Sequence, residues 1–302
     1  MAVSAMTGHG SVVGALILLR TAAFTADEED FAGLFAAAGG TALSAARLSA
    51  EKDSITDMLA RELAPPRLRR LDGAELATGR LLSSSGDKVG GDFYDVLPPA
   101  DGGEWLVALG DVCGSDLEAA LVTGRLRAAL RVLRPLAGDH QKVLGLLNDL
   151  LLAGPGGDRD PRFATLVLAS LRRHGEDVRL RLTAAGHPPP LIVRTDGRVE
   201  RVASRGNLIG GLDRVGSRTA AAVLRPGDTC LLYTDGITEA RDAHAGREMF
   251  GEHRLHRALA SCAGLPCEAV VERVQMLASR WVGGGPHDDM AVVAIGAPRH
   301  EP

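Results

Sequence analysis

Apolar positions along this chain come in two textures. Between residues 25 and 63 they recur at helical spacing: Phe31, Leu34 and Phe35, then Leu43 and Ala46, then Ile55, Met58, Leu59 and Leu63. Thr25 and Glu28 open this stretch in the Thr-x-x-Glu order of a capping box, and Pro65-Pro66 ends it. Gly39-Gly40 weakens its middle. Ahead of it lies one apolar run, Val12–Leu19, which reads as a buried strand. The run is too short to cross a bilayer, no Lys or Arg precedes it, and no small-residue cleavage site follows, so neither a membrane span nor a signal peptide is expected. A single strand cannot bury itself, so its pairing partners are expected outside this chain.

From about Leu68 the texture changes to short apolar runs between turns. Trp105–Leu109, Ala164–Leu171, Arg179–Ala184, Leu191–Arg194, Thr229–Tyr233 and Met290–Ile295 read as strands. Helical periodicity covers Leu117–Leu133, closed by Pro135, and Gln141–Leu152. A third helical stretch, Leu255–Trp281, breaks around Gly264-Leu265-Pro266, and Gly154–Asp160 is a loop by composition. Strand clusters with helices between them, without strict alternation, predict an α+β sandwich with helices outside stacked sheets. The segmentation is then residues 1–24, a helical linker over 25–67, and one large domain over 68–298. The linker helix packs on its own domain or pairs with a second copy; its stripe is too irregular to decide.

Composition narrows the function. The 302 residues carry 34 Lys+Arg against 38 Asp+Glu and only 3% aromatics. That balance excludes a strongly basic nucleic-acid binder and a base-stacking platform. Cys113, Cys230, Cys262 and Cys267 form no C-x-x-C pair, which fits reduced thiols in a cytoplasm and offers no zinc ligand set.

The chemistry lies in the acids. Asp92 follows Gly90-Gly91, Asp111 follows Gly110 after a strand, Asp235 precedes Gly236 after another, and Asp288-Asp289 precedes a third. A strand ending in an acid beside glycine projects a carboxylate from a rigid edge and lets backbone approach a ligand. Several carboxylates brought together stay ionised only if cations neutralise them. Hard oxygen donors without a His/Cys set point to Mg²⁺ or Mn²⁺, and paired ions of this kind serve phosphoryl chemistry. Each motif alone is commonplace, since Asp-Gly is usually a turn; the ordered set is specific.

Five stretches together resemble one family: Gly90-Gly91-Asp92-Phe93-Tyr94-Asp95, Gly110-Asp111-Val112-Cys113-Gly114, Ala185-Gly186-His187-Pro188-Pro189-Pro190, Tyr233 to Ala240, and Asp288-Asp289-Met290. They are similar to the metal-dependent PPM (type 2C) Ser/Thr protein phosphatases, in their bacterial SpoIIE/RsbU-like branch. The resemblance covers roughly Leu68 to Pro298. It implies an α-β-β-α sandwich with two Mn²⁺ or Mg²⁺ ions at one edge. Asp111 would bridge them with help from the Val112 carbonyl, Asp235 and Asp288 would hold the second ion, and Asp92 would act directly or through water. Asp289 and Asp95 would stand at or just behind the metals. A hydroxide activated by the two metals would then attack phosphoserine or phosphothreonine in line. The implied substrate is a phosphorylated STAS-type anti-sigma-factor antagonist, so the implied role is sigma-factor regulation. Residues 1–24 weakly resemble the end of a GAF-type sensor, a degenerate or truncated remnant.

This chain departs from the branch at Ser115-Asp116, where a basic and a small residue are usual, and at Ala291, where threonine is frequent. Ser115 and Glu118 also make a capping box, so a helix start is the favoured reading there. His187 suits a turn between strands better than a general acid, and Lys88 suits a solvated loop better than a phosphate contact. The departures leave a competing expectation open: a phosphatase-fold regulatory module that binds a partner with little turnover.

Overall fold

The computed structural model describes residues 1–63, 71, 73–83, 90–100, 102–114, 117–154, 162–242, 248–285 and 287–299. Pro65-Pro66, the Leu68 boundary, Lys88, Ser115-Asp116 and most of the Gly154–Asp160 loop lie outside the described residues.

The chain divides into two compact units, Met1–Met58 and Leu59–Pro302. The first holds a hairpin, β1 (Ala2–Gly8) and β2 (Ser11–Leu18), and most of α1 (Ala26–Glu62). The single strand expected over Val12–Leu19 therefore has a partner within the chain: Ala2 lies opposite Leu18 and Gly8 opposite Ser11. The turn is made by His9 and Gly10, both at positive φ (48° and 76°), the conformation that suits a two-residue hairpin loop. β1 escaped the pattern reading because Ala, Ser, Thr and Gly dominate it.

The capping box forms. The Thr25 N–H donates to Glu28 Oε2 at 2.8 Å and the Glu28 N–H to Thr25 Oγ1 at 3.4 Å. Arg20 also grips Glu28 through both Nη atoms (2.8 and 2.6 Å), and these bonds pull the Glu28 carboxyl down to about 2. Gly39-Gly40 does not break the helix. A Cβ at Gly40 would collide with the Thr7 backbone, so glycine is what lets the helix meet the hairpin.

The second unit is a four-layer sandwich. One antiparallel sheet has the order β12 (Ala220–Leu224), β7 (Asp177–Ala185), β6 (Ala164–His174), β5 (Trp105–Val112), β4 (Asp92–Leu97). The other runs β3 (Glu75–Leu81), β14 (Met290–Gly296), β13 (Thr229–Tyr233), β8 (Leu191–Val193), β9 (Val199–Arg201). A small third pair joins β10 (Arg205–Gly206) to β11 (Ser217–Arg218). Val107, Leu109, Val167 and Leu182 of the first sheet meet Ile192, Leu232, Val293 and Ile295 of the second in a dry central layer.

The outer face of the first sheet is covered by α2 (Leu117–Leu133) and α3 (His140–Leu152), through Leu126, Leu130, Leu144 and Leu147. That of the second is covered by α5 (Gly251–Ala260) and α6 (Cys267–Val282), through Leu255, Leu259, Val270 and Val274. This is the α-β-β-α arrangement expected, preceded by the helix α1. A short α4 (Asp235–Glu239), unexpected from periodicity, follows β13. All four cysteines are free thiols.

Candidate active site

Strand register assembles the acids. β4 and β5 pair so that Asp92 stands directly opposite Asp111. β13 leaves its sheet beside the point where β14 enters, since Tyr233 pairs with Val292; Asp235 therefore emerges next to Asp288 and Asp289. The Thr234 hydroxyl joins the two sheets here. It donates to Asp92 Oδ2 at 2.8 Å and accepts the Ala291 N–H at 2.9 Å.

Glycines keep the edge open. A Cβ at Gly90 would fall on the Asp289 carboxylate. One at Gly91 would cover both the Val112 carbonyl oxygen and, at 2.6 Å, Asp111 Oδ1. One at Gly236 would strike the Asp289 carbonyl oxygen. Any side chain at these positions would fill the space around the acids.

The electrostatics match this crowding. Burial, then the Asp235, Asp288 and Asp289 carboxylates, push Asp111 up to about 7. Asp92, 3% exposed, is raised well above the carboxylate range by burial and then by Asp111, with the Thr234 hydrogen bond opposing. Asp235 is raised by burial and by Asp288. Asp92, Asp111, Asp235, Asp288 and Asp289 thus share one field, although they span 198 positions of sequence.

The donor chemistry fits a hard divalent cation: carboxylate oxygens, a backbone carbonyl at Val112, and like charges that lack enough local counter-charge. Among the described residues, however, no three Asp, Glu, His or Cys side chains converge as a closed ligand group. Asp289 points partly elsewhere. Its Oδ1 accepts the Ser83 N–H at 2.7 Å, and its Oδ2 lies 3.8 Å from Arg80 Nη2.

Other candidates separate from this edge. Asp95 is 1% exposed and faces α2, where Arg127 Nε and Arg131 Nε stand 3.5 and 3.2 Å from Oδ2. It holds a helix on its sheet. Burial pushes His187 down to about 3, so it is neutral at pH 7 and lacks the imidazolium proton a general acid would give up. Its Nδ1 lies 2.8 Å from Thr165 Oγ1, which ties the Ala185–Pro190 turn to β6. Cys113 is exposed just beyond β5. Ala291 is fully buried, and the hydroxyl that reaches the acids at this level belongs to Thr234. Thr234 and Arg80 are the two residues that sequence reasoning gave no role. Thr234 lies inside a quoted motif; Arg80 has no local signal at all.

The sequence model of the family "Stage II sporulation protein E (SpoIIE)" matches residues 101–298. The chain is 28% identical over 234 residues to Protein IcfG of Synechocystis sp., a match covering 68% of this chain and 36% of that protein. This chain therefore spans about a third of the length of that relative. Among solved structures it is similar to the RsbU and RsbW domains of Rv1364c from Mycobacterium tuberculosis, at 29% identity and TM-score 0.62, over 76% of this chain and 61% of that one. The SiaA-PP2C domain of Pseudomonas aeruginosa has TM-score 0.64 at 20% identity, over 85% of this chain and 100% of that one, and shows the fold alone. The sandwich, the acids gathered at its edge and the matched two-thirds of the chain agree: this protein belongs to the SpoIIE family, in the SpoIIE/RsbU-like branch of the PPM (type 2C) phosphatase fold.

Proposed function

We propose that this protein is a metal-dependent protein serine/threonine phosphatase. The observation that carries the reading is the shared field at Asp111. Burial, and then the Asp235, Asp288 and Asp289 carboxylates of the other sheet, raise its carboxyl to about 7, and glycines keep the space between open. Asp111, the Val112 carbonyl, Asp235 and Asp288 would hold two Mn²⁺ or Mg²⁺ ions, with Asp92 and Asp289 at their margin. Such ions, when bound, supply an activated water nucleophile and neutralise charge on a phosphoryl group.

The chain's own residues do the rest. Thr234 fixes the Asp92 rotamer. Gly90, Gly91 and Gly236 admit the ligand. The Ser83 N–H and Arg80 hold Asp289 and limit its movement toward the centre. The neutral, buried His187 positions the turn beside Thr165, which stands opposite Asp111.

The substrate in this reading is a phosphorylated STAS-domain anti-sigma-factor antagonist in a cytoplasmic partner-switching pathway, supported by the resemblance of the motif series to the SpoIIE/RsbU-like branch. α1 serves as a linker helix and pairs with a second copy. The exposed Leu34, Leu48 and Ile55, at multiples of seven residues, support that pairing. The length of α1, and an 18-residue stretch within it of mean hydropathy 1.2, would also allow a membrane span. Gly40 and Ser44 pack instead on the hairpin, which favours a protein partner.

The test is hydrolysis of p-nitrophenyl phosphate and of a phosphorylated STAS protein. Turnover that appears with Mn²⁺ and disappears in Asp111→Asn supports the enzyme. A second reading, a binding module with little turnover, is favoured by the unclosed ligand group. No hydrolysis of either substrate at saturating metal would establish it and remove the first.

A further inference from the structure

A second recess lies on the other side of the His187 turn. It has a volume of about 570 Å³, and Arg201, Arg205, Arg218, Ser204 and His187 are among the residues that line it. The register of β10 and β11 sets Arg205 directly opposite Arg218. Like charges opposite one another in an antiparallel pair repel, so this pairing works against the strands that carry it. Two arginines of the adjoining recess are neutralised: Arg194 by Glu200 and Asp228 at 2.7 and 2.9 Å, Arg198 by Asp196 at 2.7 Å. Arg201 has Glu252 at 3.5 Å. Among the described residues, Arg205 and Arg218 have no carboxylate at ion-pair distance, and no acid lines the recess.

Ser204 adds an independent observation. It is 6% exposed, lines the recess, and its hydroxyl has no partner in the protein. A buried donor of this kind is rare unless a ligand or water completes it. The mount is firm, since the Gly186 N–H donates to the Gly206 carbonyl at 2.8 Å and the Asn207 N–H to the Gly216 carbonyl at 3.0 Å. Three arginines and a neutral hydroxyl donor lining one recess supply the donors that a tetrahedral oxyanion takes.

We propose that this recess is an anion-binding site for a phosphate group, held by Arg201, Arg205 and Arg218 with the Ser204 hydroxyl. The group arrives as free phosphate or on a phosphorylated side chain. The site is separate from the acidic edge but shares a wall with it, because His187 bonds Thr165 and Thr165 faces Asp111 across β5 and β6. The inference does not depend on the phosphatase reading.

Titration calorimetry of the full chain with inorganic phosphate, in EDTA, tests it. One phosphate binds, salt weakens the binding, and the double substitution Arg205→Gln/Arg218→Gln weakens it at least tenfold, whereas Asp111→Asn leaves it in place. Phosphate raises the Tm of the parent and not of the double variant. In phosphate-free buffer the double variant melts no lower than the parent, since an opposed pair has been removed, and this shows that it folds. Competition by N-acetyl-phosphoserine amide assigns the site to a phosphorylated side chain; phosphate binding without such competition assigns it to free phosphate. Absent binding, equal affinity in parent and double variant, or loss only in Asp111→Asn overturns the proposal.

Discussion

Thr234 shows how much one hydroxyl can organise. It takes the Ala291 N–H and gives its proton to Asp92, and all three groups are buried. Thr234→Val keeps the shape but leaves a buried amide and a buried carboxyl without partners, so stability falls by about 1–3 kcal/mol in urea denaturation. Thr234→Ser restores most of it; equal stability of the Val variant would show that the bond is not needed. His140 is a second buried switch. The Ser170 hydroxyl donates to the Ala137 carbonyl, so Nε2–H donates to Ser170 at 2.7 Å and Nδ1 accepts from Thr183 at 2.7 Å. Burial holds this neutral imidazole down to about 4. Because that lies below the unfolded value, the unfolded chain takes up the proton first. The stabilising contribution is whole above pH 6.5 and is lost as pH falls from 6.5 through 4, by about 3 kcal/mol. The stability difference between the parent and His140→Gln, measured at pH 7.5 and pH 4.5, narrows by that order; a constant difference would contradict it. Neither role was legible in sequence, since Thr234 and Asp92 stand 142 positions apart and His140 and Thr183 stand 43 apart. Asp92, Asp111 and Asp235 were legible because each announces itself locally beside glycine.

Elements were legible in proportion to length and period. α2 begins and ends where its apolar stripe does, and β13 matches its run of five residues. β1, β3, β4, β9, β10, β11, β12 and α4 were not found. β4 is buried at all six positions yet carries two aspartates, and β12 is largely alanine, so neither shows the alternation of a half-buried strand. Gly40 marks where local propensity and packing point in opposite directions. By propensity alone, Gly40→Ala strengthens α1 by about 1 kcal/mol. Its new Cβ would meet the Thr7 carbonyl oxygen and amide nitrogen, which belong to paired backbone and cannot turn aside. The substitution is therefore expected to loosen the hairpin from the helix, read as faster proteolysis and faster amide exchange over residues 2–18. Gly33→Ala, where a Cβ meets nothing, gives the propensity gain without the loss. If Gly40→Ala protects the hairpin as well as Gly33→Ala does, the close approach is not what selects glycine.

At the scale of the whole molecule, the sandwich brings together charges that would separate if they were free to do so. The two sheets pack through a dry layer of Val, Leu and Ile, and that packing forces Asp92 and Asp111 of one sheet against Asp235, Asp288 and Asp289 of the other. Without a cation, Asp111 near 7 in the folded state and near 4 in the unfolded one makes the protein gain stability as pH falls through 7 and lose it as pH rises. A divalent ion reverses the sign, because it binds the ionised carboxylates and competes with protons. Mn²⁺ at a hundred times its Kd then adds about 2.7 kcal/mol to the folded state, and the rise in Tm is larger at pH 8 than at pH 6. Asp111→Asn removes one of the opposed charges, so its metal-free Tm at pH 8 lies above that of the parent while its response to Mn²⁺ is lost. Those two effects of one substitution have opposite signs, and only a charge held in place for a cation produces both. A metal-free Asp111→Asn that melts below the parent, or that still responds fully to Mn²⁺, would mean that these carboxylates do not form the proposed metal site.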